Sequence, residues 1–449
     1  MELLVTWYGD DFTGSAAVME VLAFAGIDAV LFSDVPSATL QARFKDVQAI
    51  GIASTARTHD PKWMEANLPE PLSYLDGLNA PILHYKVCST FDSSPVSGSI
   101  GKAIEVGLSV RPADAVPVLT AAPQMLRYQA FGNLFAGSLD GVHRLDRHPI
   151  MSRHPVTPMD EADLMLHLGK QTSIPSALID LEALWSDPTM ALNQALANGA
   201  RILSIDSMEE KSESSAGRLI WENRDRLGFI VGSQGVEYAL VRHWQEAGIL
   251  PIATETKGAG KVSQIAAVSG SVSPTTANQL AWSAANGFTL IEFDATKAVE
   301  SDSALSAETE RAIASALNAA STGASPLVYS AAGPDDTAVS NFRAALSHSQ
   351  MTNEEANARI GKSLGDVLDR VLTNCAIPRA VVSGGDTSGH AMRALGLEAL
   401  VALAPTIPGA ALCTGHGEGK HDGLQIALKG GQMGSEDFFG WIRDGGGAR

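Results

Sequence analysis

The sequence predicts an α/β fold in two domains, each with a mostly parallel sheet flanked by helices, and with ligands in the interdomain cleft. Three observations predict it. Short apolar runs alternate with helical patterns from one end to the other. The 449 residues exceed the roughly 250–300 that one hydrophobic core usually serves. A stretch without periodicity, rich in small residues, interrupts the alternation at residues 249–262.

Taken in order, the chain opens on Leu3-Leu4-Val5-Thr6-Trp7-Tyr8. This reads as a first strand and not a signal peptide, because no basic segment precedes it and Asp10 and Asp11 follow at once. Further apolar runs lie at Val47–Ala53, Pro81–Val87, Val116–Thr120, Arg201–Ile205 and Phe229–Val231. A second set lies at Ile265–Val268, Phe288–Phe293, Pro326–Tyr329, Ala380–Val382 and Leu424–Leu428. Runs of this length between helices argue for parallel strands covered on both faces. Ligands in such sheets bind beyond the carboxyl ends of the strands. The stretch 249–262 is read as a linker between an N-terminal domain, 1–248, and a C-terminal domain, 263–449. Residues 136–157 read as loop and carry His143, Arg144, Arg147, His148, Arg153 and His154. They form either a solvated loop or an anion-binding insert over a site. The tail from Asp444 to Arg449 is expected to fray.

Hydrophobic residues make up 45% and charged residues 18% of the chain, an ordinary globular balance. The net charge of −18, from 50 acidic against 32 basic residues, disfavours nucleic acid and anionic membranes as partners. It permits an anionic substrate in a locally basic pocket, and a phosphorylated ligand would arrive with Mg2+. Cys88, Cys375 and Cys413 lie far apart, with no disulfide framework and no metal pair. They read as buried free thiols of a reducing, cytoplasmic compartment. No apolar run reaches the roughly 18 residues of a membrane span. A homodimer is left open.

Five segments could carry chemistry. Tyr8-Gly9-Asp10-Asp11-Phe12-Thr13-Gly14 ends the first strand and opens a helix. Asp11 or Thr13 could cap that helix, and a carboxylate there could take or orient a substrate proton. His84-Tyr85-Lys86-Val87-Cys88-Ser89-Thr90 delivers a lysine and a hydroxyl-rich loop before the helix start at Gly98–Lys102. Free N–H groups beside a lysine suit a carboxylate, whereas the plainer reading is a capped loop. Ser54-Thr55-Ala56-Arg57 adds an arginine that could clamp a carboxylate. In the second half, Ser269-Gly270-Ser271, Ser383-Gly384-Gly385-Asp386-Thr387 and Lys429-Gly430-Gly431 each follow a strand with small residues that let backbone approach phosphate. In the middle one, Asp386 could hold Mg2+ or a base, and a helix is expected from about His390. No Walker A motif is present: Gly361-Lys362-Ser363 lacks its glycine at Ala356. His416-Gly417-Glu418-Gly419-Lys420-His421-Asp422 matches no standard metal spacing, and no metal ligand is assigned.

Together these segments resemble the four-carbon acid sugar kinase family, end to end and in order. Asp10-Asp11-Phe12-Thr13-Gly14 is similar to the family's Asp-Asp-Leu-Thr-Gly start, Ser54-Thr55-Ala56-Arg57 to its Ser-Thr-Arg loop, and Tyr85-Lys86 with Ser89-Thr90 to its Tyr-Lys and Ser-Thr segment. Pro155–Met159 and the three glycine segments match as well. The resemblance implies an ATP-dependent kinase that phosphorylates a terminal hydroxyl of a short sugar acid of the 3-oxo-tetronate or threonate/erythronate type. It assigns Ser269, Ser271, Gly384, Gly385, Asp386, Thr387, Gly430 and Gly431 to ATP. It assigns Arg57, Lys86, Ser89 and Thr90 to the acid, and catalysis to Asp10, Asp11 and Asp386.

One departure stands out. Where many members continue Leu-Arg-Gly, this chain reads Phe91-Asp92-Ser93. An arginine is lost and an aspartate gained, which points to a different acid, branched or oxidised, such as 3-oxo-isoapionate. Two readings of other classes fit less well. A non-catalytic sugar-acid sensor needs no phosphate-friendly loops. A dehydrogenase needs Gly-x-Gly-x-x-Gly after the first strand, which Gly9–Gly14 does not supply.

Overall fold

A computed structural model describes residues 2–138, 140–252 and 257–449. The chain divides into two compact units at residues 253 and 254. Of the expected linker, residues 253–256 lie outside the described residues.

The strands of the first unit are β1 (Val5–Gly9), β2 (Ala29–Phe32), β3 (Ala49–Ala53), β4 (Ile82–Lys86), β5 (Val116–Leu119), β6 (Arg127–Ala130), β7 (Asn133–Ser138), β8 (Gly141–Arg144), β9 (Ser176–Ile179), β10 (Ile202–Ile205) and β11 (Phe229–Gly232). Eight of them form a parallel array in the order β2-β3-β1-β4-β11-β5-β10-β9. Every residue of β1, β3 and β4 is buried. That is why these strands read as unbroken apolar runs and not as alternation. Trp7, Phe32, Leu83 and Tyr85 lie in this core. The chain runs from β1 to β2 and β3 on one side and to β4 on the other, so a switch point lies at the end of β1.

The remaining strands, β6, β7 and β8, make an antiparallel meander. The expected loop at 136–157 is therefore corrected in part: it contains the end of β7, all of β8 and two short 3₁₀ turns. Its charges are largely paired at home, Arg144 with Asp146 and His143 with Asp140. Asp206, buried at the end of β10, accepts hydrogen bonds from the backbone of Phe131 (2.6 Å) and Gly132 (3.0 Å) and moors the meander to the sheet.

The second unit contains β12 (Ala266–Ser269), β13 (Phe288–Glu292), β14 (Ser325–Tyr329), β15 (Arg379–Ser383), β16 (Ala399–Ala404), β17 (Leu412–His416) and β18 (Gln425–Lys429). Their order is β13-β14-β12-β15-β18-β17-β16. The first five run parallel, and β17 runs antiparallel to both of its neighbours, β18 and β16. The switch point here falls at β12. Ile265, Leu280, Phe288, Val381, Phe438 and Ile442 share the core beneath it.

Three expectations fail locally. The tail does not fray: Gly445, Arg443 and Gly447 bond the backbone of Ala259, Val262 and Pro405, and Arg449 lies 4.2 Å over Trp441 and pairs with Asp437. The helix expected from His390 begins at Gly385, which puts Asp386 and Thr387 in its first turn. Of the three cysteines Cys413 is buried, while Cys88 and Cys375 are half-buried. No described helix is long and apolar enough to cross a membrane.

Candidate active site

In the first unit, register brings the candidate residues together. Gly9 stands opposite Ala53 on β3 and Lys86 on β4, so the segments after all three strands emerge side by side. Asp11, in extended conformation, caps the helix Phe12–Phe24 by accepting from Gly14 N at 2.9 Å. Asp10 is buried, and Arg57 grips it with Nη2 at 2.8 Å from Oδ1 and Nε at 3.3 Å from Oδ2. The same Nη2 lies 2.8 Å from Asp11 Oδ1. Arg57, expected to clamp the substrate, instead holds two carboxylates. Burial pushes the Asp10 carboxyl up from its ordinary range, and Arg57 opposes the shift. Burial works hardest against the charge of Arg57, but Asp10, Cys88 and Asp11 together outweigh it and the guanidinium's pKa is raised.

Lys86 is fully buried and donates to Val87 O at 2.7 Å. A Cβ at Gly14 would come within 2.6 Å of its ammonium, so only glycine lets the helix start approach the lysine this closely. Ser89 and Thr90 are buried in the following loop. Thr90 Oγ1 donates to Asp92 Oδ1 at 2.6 Å and meets Cys88 Sγ at 3.0 Å. Burial and Asp92 push the Cys88 thiol up. Phe91 adopts φ +56°, and Ser93 Oγ reaches Phe91 O at 2.9 Å and His167 Nε2 at 2.9 Å. The helix Ile100–Val110 has no free first turn for a carboxylate: Ser99 caps Lys102 N, and Gln171 Oε1 takes Gly101 N. Lys102 is itself paired with Glu65 and Glu105.

In the second unit, Ser269, Ser383 and Lys429 end three adjacent strands in register. The three glycine segments pack into one another. A Cβ at Gly270 or Gly384 would strike Thr387 Oγ1, and one at Gly431 would strike Ser271 Oγ. Gly384 also holds φ +124°, which L side chains rarely adopt. The helix Gly385–Leu395 has no side-chain cap, unlike the helix Pro274–Ala284, where Ser273 accepts from Thr276 N. Its first-turn N–H groups are thus available to an anion. They border a cavity of about 340 Å³ lined by Gly270, Ser271, Gly384, Gly385, Asp386, Thr387 and Gly431. Nothing lies within 4 Å of a Cβ built at Gly385, so that position leaves open space. Ser269 and Gly430 do not line the cavity. Ser269 is buried behind it, its Oγ 3.4 Å from Ser271 N.

Sequence reasoning missed the cavity's apolar wall, made by Val272, Val339, Phe342 and Ile360. Val272 lies in the loop after β12, Val339 and Phe342 share the helix Thr337–Ser347, and Ile360 comes from the helix Asn353–Cys375, so no local signal marks them as one wall. Gly361, dismissed as part of a false Walker motif, also lines the cavity, where its bareness admits the ring of His390. His416 and His421 face Asp422 and Asp369.

A family model described as a sugar-binding N-terminal domain matches residues 5–240, and one described as a nucleotide-binding C-terminal domain matches residues 266–439. The chain belongs to the four-carbon acid sugar kinase family. Within that family it is 46% identical to a 3-oxo-isoapionate kinase of Paraburkholderia graminis, over 99% of this chain and 94% of that one. It is 27% identical to a 3-oxo-tetronate kinase of Pseudomonas savastanoi pv. phaseolicola, over 96% and 94%. A crystal structure from Salmonella typhimurium LT2 shares the fold with a TM-score of 0.79 at 23% identity, covering 98% of both chains. The family's two domain models thus fall one on each compact unit, and each unit holds one of the two constellations.

Proposed function

We propose that this chain is a cytoplasmic, ATP-dependent kinase that phosphorylates a terminal hydroxyl of a short oxidised sugar acid, with 3-oxo-isoapionate the first choice. The observation that carries the choice of acid is the 46% identity to a 3-oxo-isoapionate kinase across 99% of the chain. The Phe91-Asp92-Ser93 departure points the same way. On this reading residues 1–248 bind the acid and residues 263–449 bind the nucleotide.

Asp11 is the carboxylate suited to the substrate hydroxyl. Both oxygens of Asp10 are committed to Arg57, whereas among the described residues Asp11 engages Gly14 and Arg57 through Oδ1. Its Oδ2 would take the hydroxyl's proton as that oxygen bonds to the γ-phosphorus and ADP leaves with the electron pair of the broken P–O bond. In the second unit, the N–H groups at Gly385–Thr387 would cradle phosphate and the Val339–Phe342–Ile360 wall would take the base. Among the described residues no cluster of three or more acidic, His or Cys side chains could hold a metal alone. Mg2+ would arrive with the phosphates, with Asp386 the carboxylate suited to hold it, and would neutralise charge on the transferring group.

The test is ADP release with MgATP against a panel of four- and five-carbon sugar acids. Turnover on 3-oxo-isoapionate is expected. Preference for 3-oxo-tetronate would reassign the substrate, and no turnover on any acid would reject the kinase reading.

A further inference from the structure

The acid needs a cation, and the two that sequence reasoning offered are engaged elsewhere. Arg57 is shared between Asp10 and Asp11. Lys86 is fully buried and bonded to Val87 O. The loop position at which the family resemblance leads one to expect an arginine holds Asp92. A third cation stands nearby: Arg127, the first residue of β6, lies within electrostatic reach of Cys88 and Asp92, the two groups that favour its charge, and of His148.

Its geometry is that of a held fork. Among the described residues its side-chain hydrogen bonds all leave from one nitrogen, Nη1, which donates to Met125 O (3.1 Å), Leu126 O (3.2 Å) and Gly137 O (3.4 Å). Those carbonyls belong to the turn before β6 and to β7, so the meander fixes the guanidinium in place. Nε is buried without a partner. A buried donor left unpaired costs free energy unless a ligand supplies the acceptor. The Nε–Nη2 edge is the edge that takes a carboxylate with two parallel hydrogen bonds.

We propose that Arg127 binds the carboxylate of the sugar acid, so that the meander supplies the cation that the Phe91–Ser93 loop lacks. The inference rests on the reading of the first unit as the acid site. Asp92 complements it. Its Oδ1 is occupied by Thr90, while Oδ2 makes no hydrogen bond among the described residues and suits a further hydroxyl of a branched acid.

Calorimetric binding without nucleotide tests this apart from catalysis. The probes are 3-oxo-isoapionate and its carboxamide, which differ only in the anionic group. The wild-type protein should bind the acid at least about 30-fold tighter than the amide, the scale of a bidentate charged pair. Arg127→Gln should bind the two alike, and Arg127→Lys should keep part of the preference. A purely structural Arg127 would weaken both ligands together and leave the ratio intact, which overturns the proposal. So would wild-type protein that binds the acid no tighter than the amide, or binds neither. An acid bound with the expected preference yet never phosphorylated would reject the kinase reading and leave Arg127 standing.

Discussion

Asp10 and Asp11 are neighbours in sequence with different fates, and burial separates them. Asp10 is 2% exposed and gripped by Arg57 through both oxygens, so it organises the site. Asp11 caps a helix through Oδ1, and its Oδ2 is the oxygen proposed as the base. Asp11→Asn preserves a good cap and removes the base. Thermal stability should stay within about 1 kcal/mol while kcat falls by roughly 10²–10⁴, as read by melting and steady-state kinetics together. His167 sets a second residue-scale expectation. Burial lowers its pKa from 6.5 to about 4. A group whose folded pKa is depressed contributes stability that is full above the unfolded value and is lost as pH falls through the folded one. Stability should thus drop between pH 6.5 and pH 4, by up to about 3 kcal/mol. Because His167 holds Ser93, next to the strained Phe91, the KM for the acid should rise only as pH falls toward about 4, where the folded imidazole itself takes a proton, while the KM for ATP does not. A flat stability profile in His167→Gln across the same range would assign the effect to this side chain; an unchanged slope would remove it.

At the scale of elements, the glycine segments of the second unit separate two roles that look identical in sequence. Gly384 is needed by the backbone: its φ of +124° and its proximity to Thr387 leave no room for a side chain. Gly384→Ala should cost about 1–3 kcal/mol of stability. Gly385, next in line, faces open space at the start of an uncapped helix. Gly385→Val should leave stability within about 1 kcal/mol yet raise the KM for ATP at least about 10-fold, because the new side chain stands where phosphate would lie. Parallel losses of stability in both variants would show that the pair is only structural. Strand register explains why the segments meet at all. Ser269, Ser383 and Lys429 end level with one another on adjacent strands, so three distant stretches of chain converge.

For the whole molecule, two units with separate cores and separate constellations imply separable responses to ligand. ADP at 100 times its Kd should add about 2.7 kcal/mol of protection from hydrogen exchange, concentrated in residues 266–439. The acid should protect amides in residues 5–240. Exchange read by mass spectrometry checks both, and uniform protection by either ligand would contradict the assignment of one ligand to each unit.

The sequence by itself determined the repeating strand–helix order, the break near residue 250 and the segments that hold Asp10, Asp11, Lys86 and the glycines. These are local properties: parallel strands buried on both faces are continuous apolar runs, and ligand segments follow them directly. It also showed Asp92 where the family resemblance leads one to expect an arginine. The nearness of Arg127 to Asp92 belongs to the tertiary structure, because it depends on a meander of which the sequence marks only residues 136–157, and those as loop. The occupation of Arg57 by two carboxylates, the apolar wall at Val339, Phe342 and Ile360, and the ordered tail belong to the same class. Each depends on contacts between segments far apart in the chain, and no periodicity or spacing within a segment encodes which distant partner it will meet.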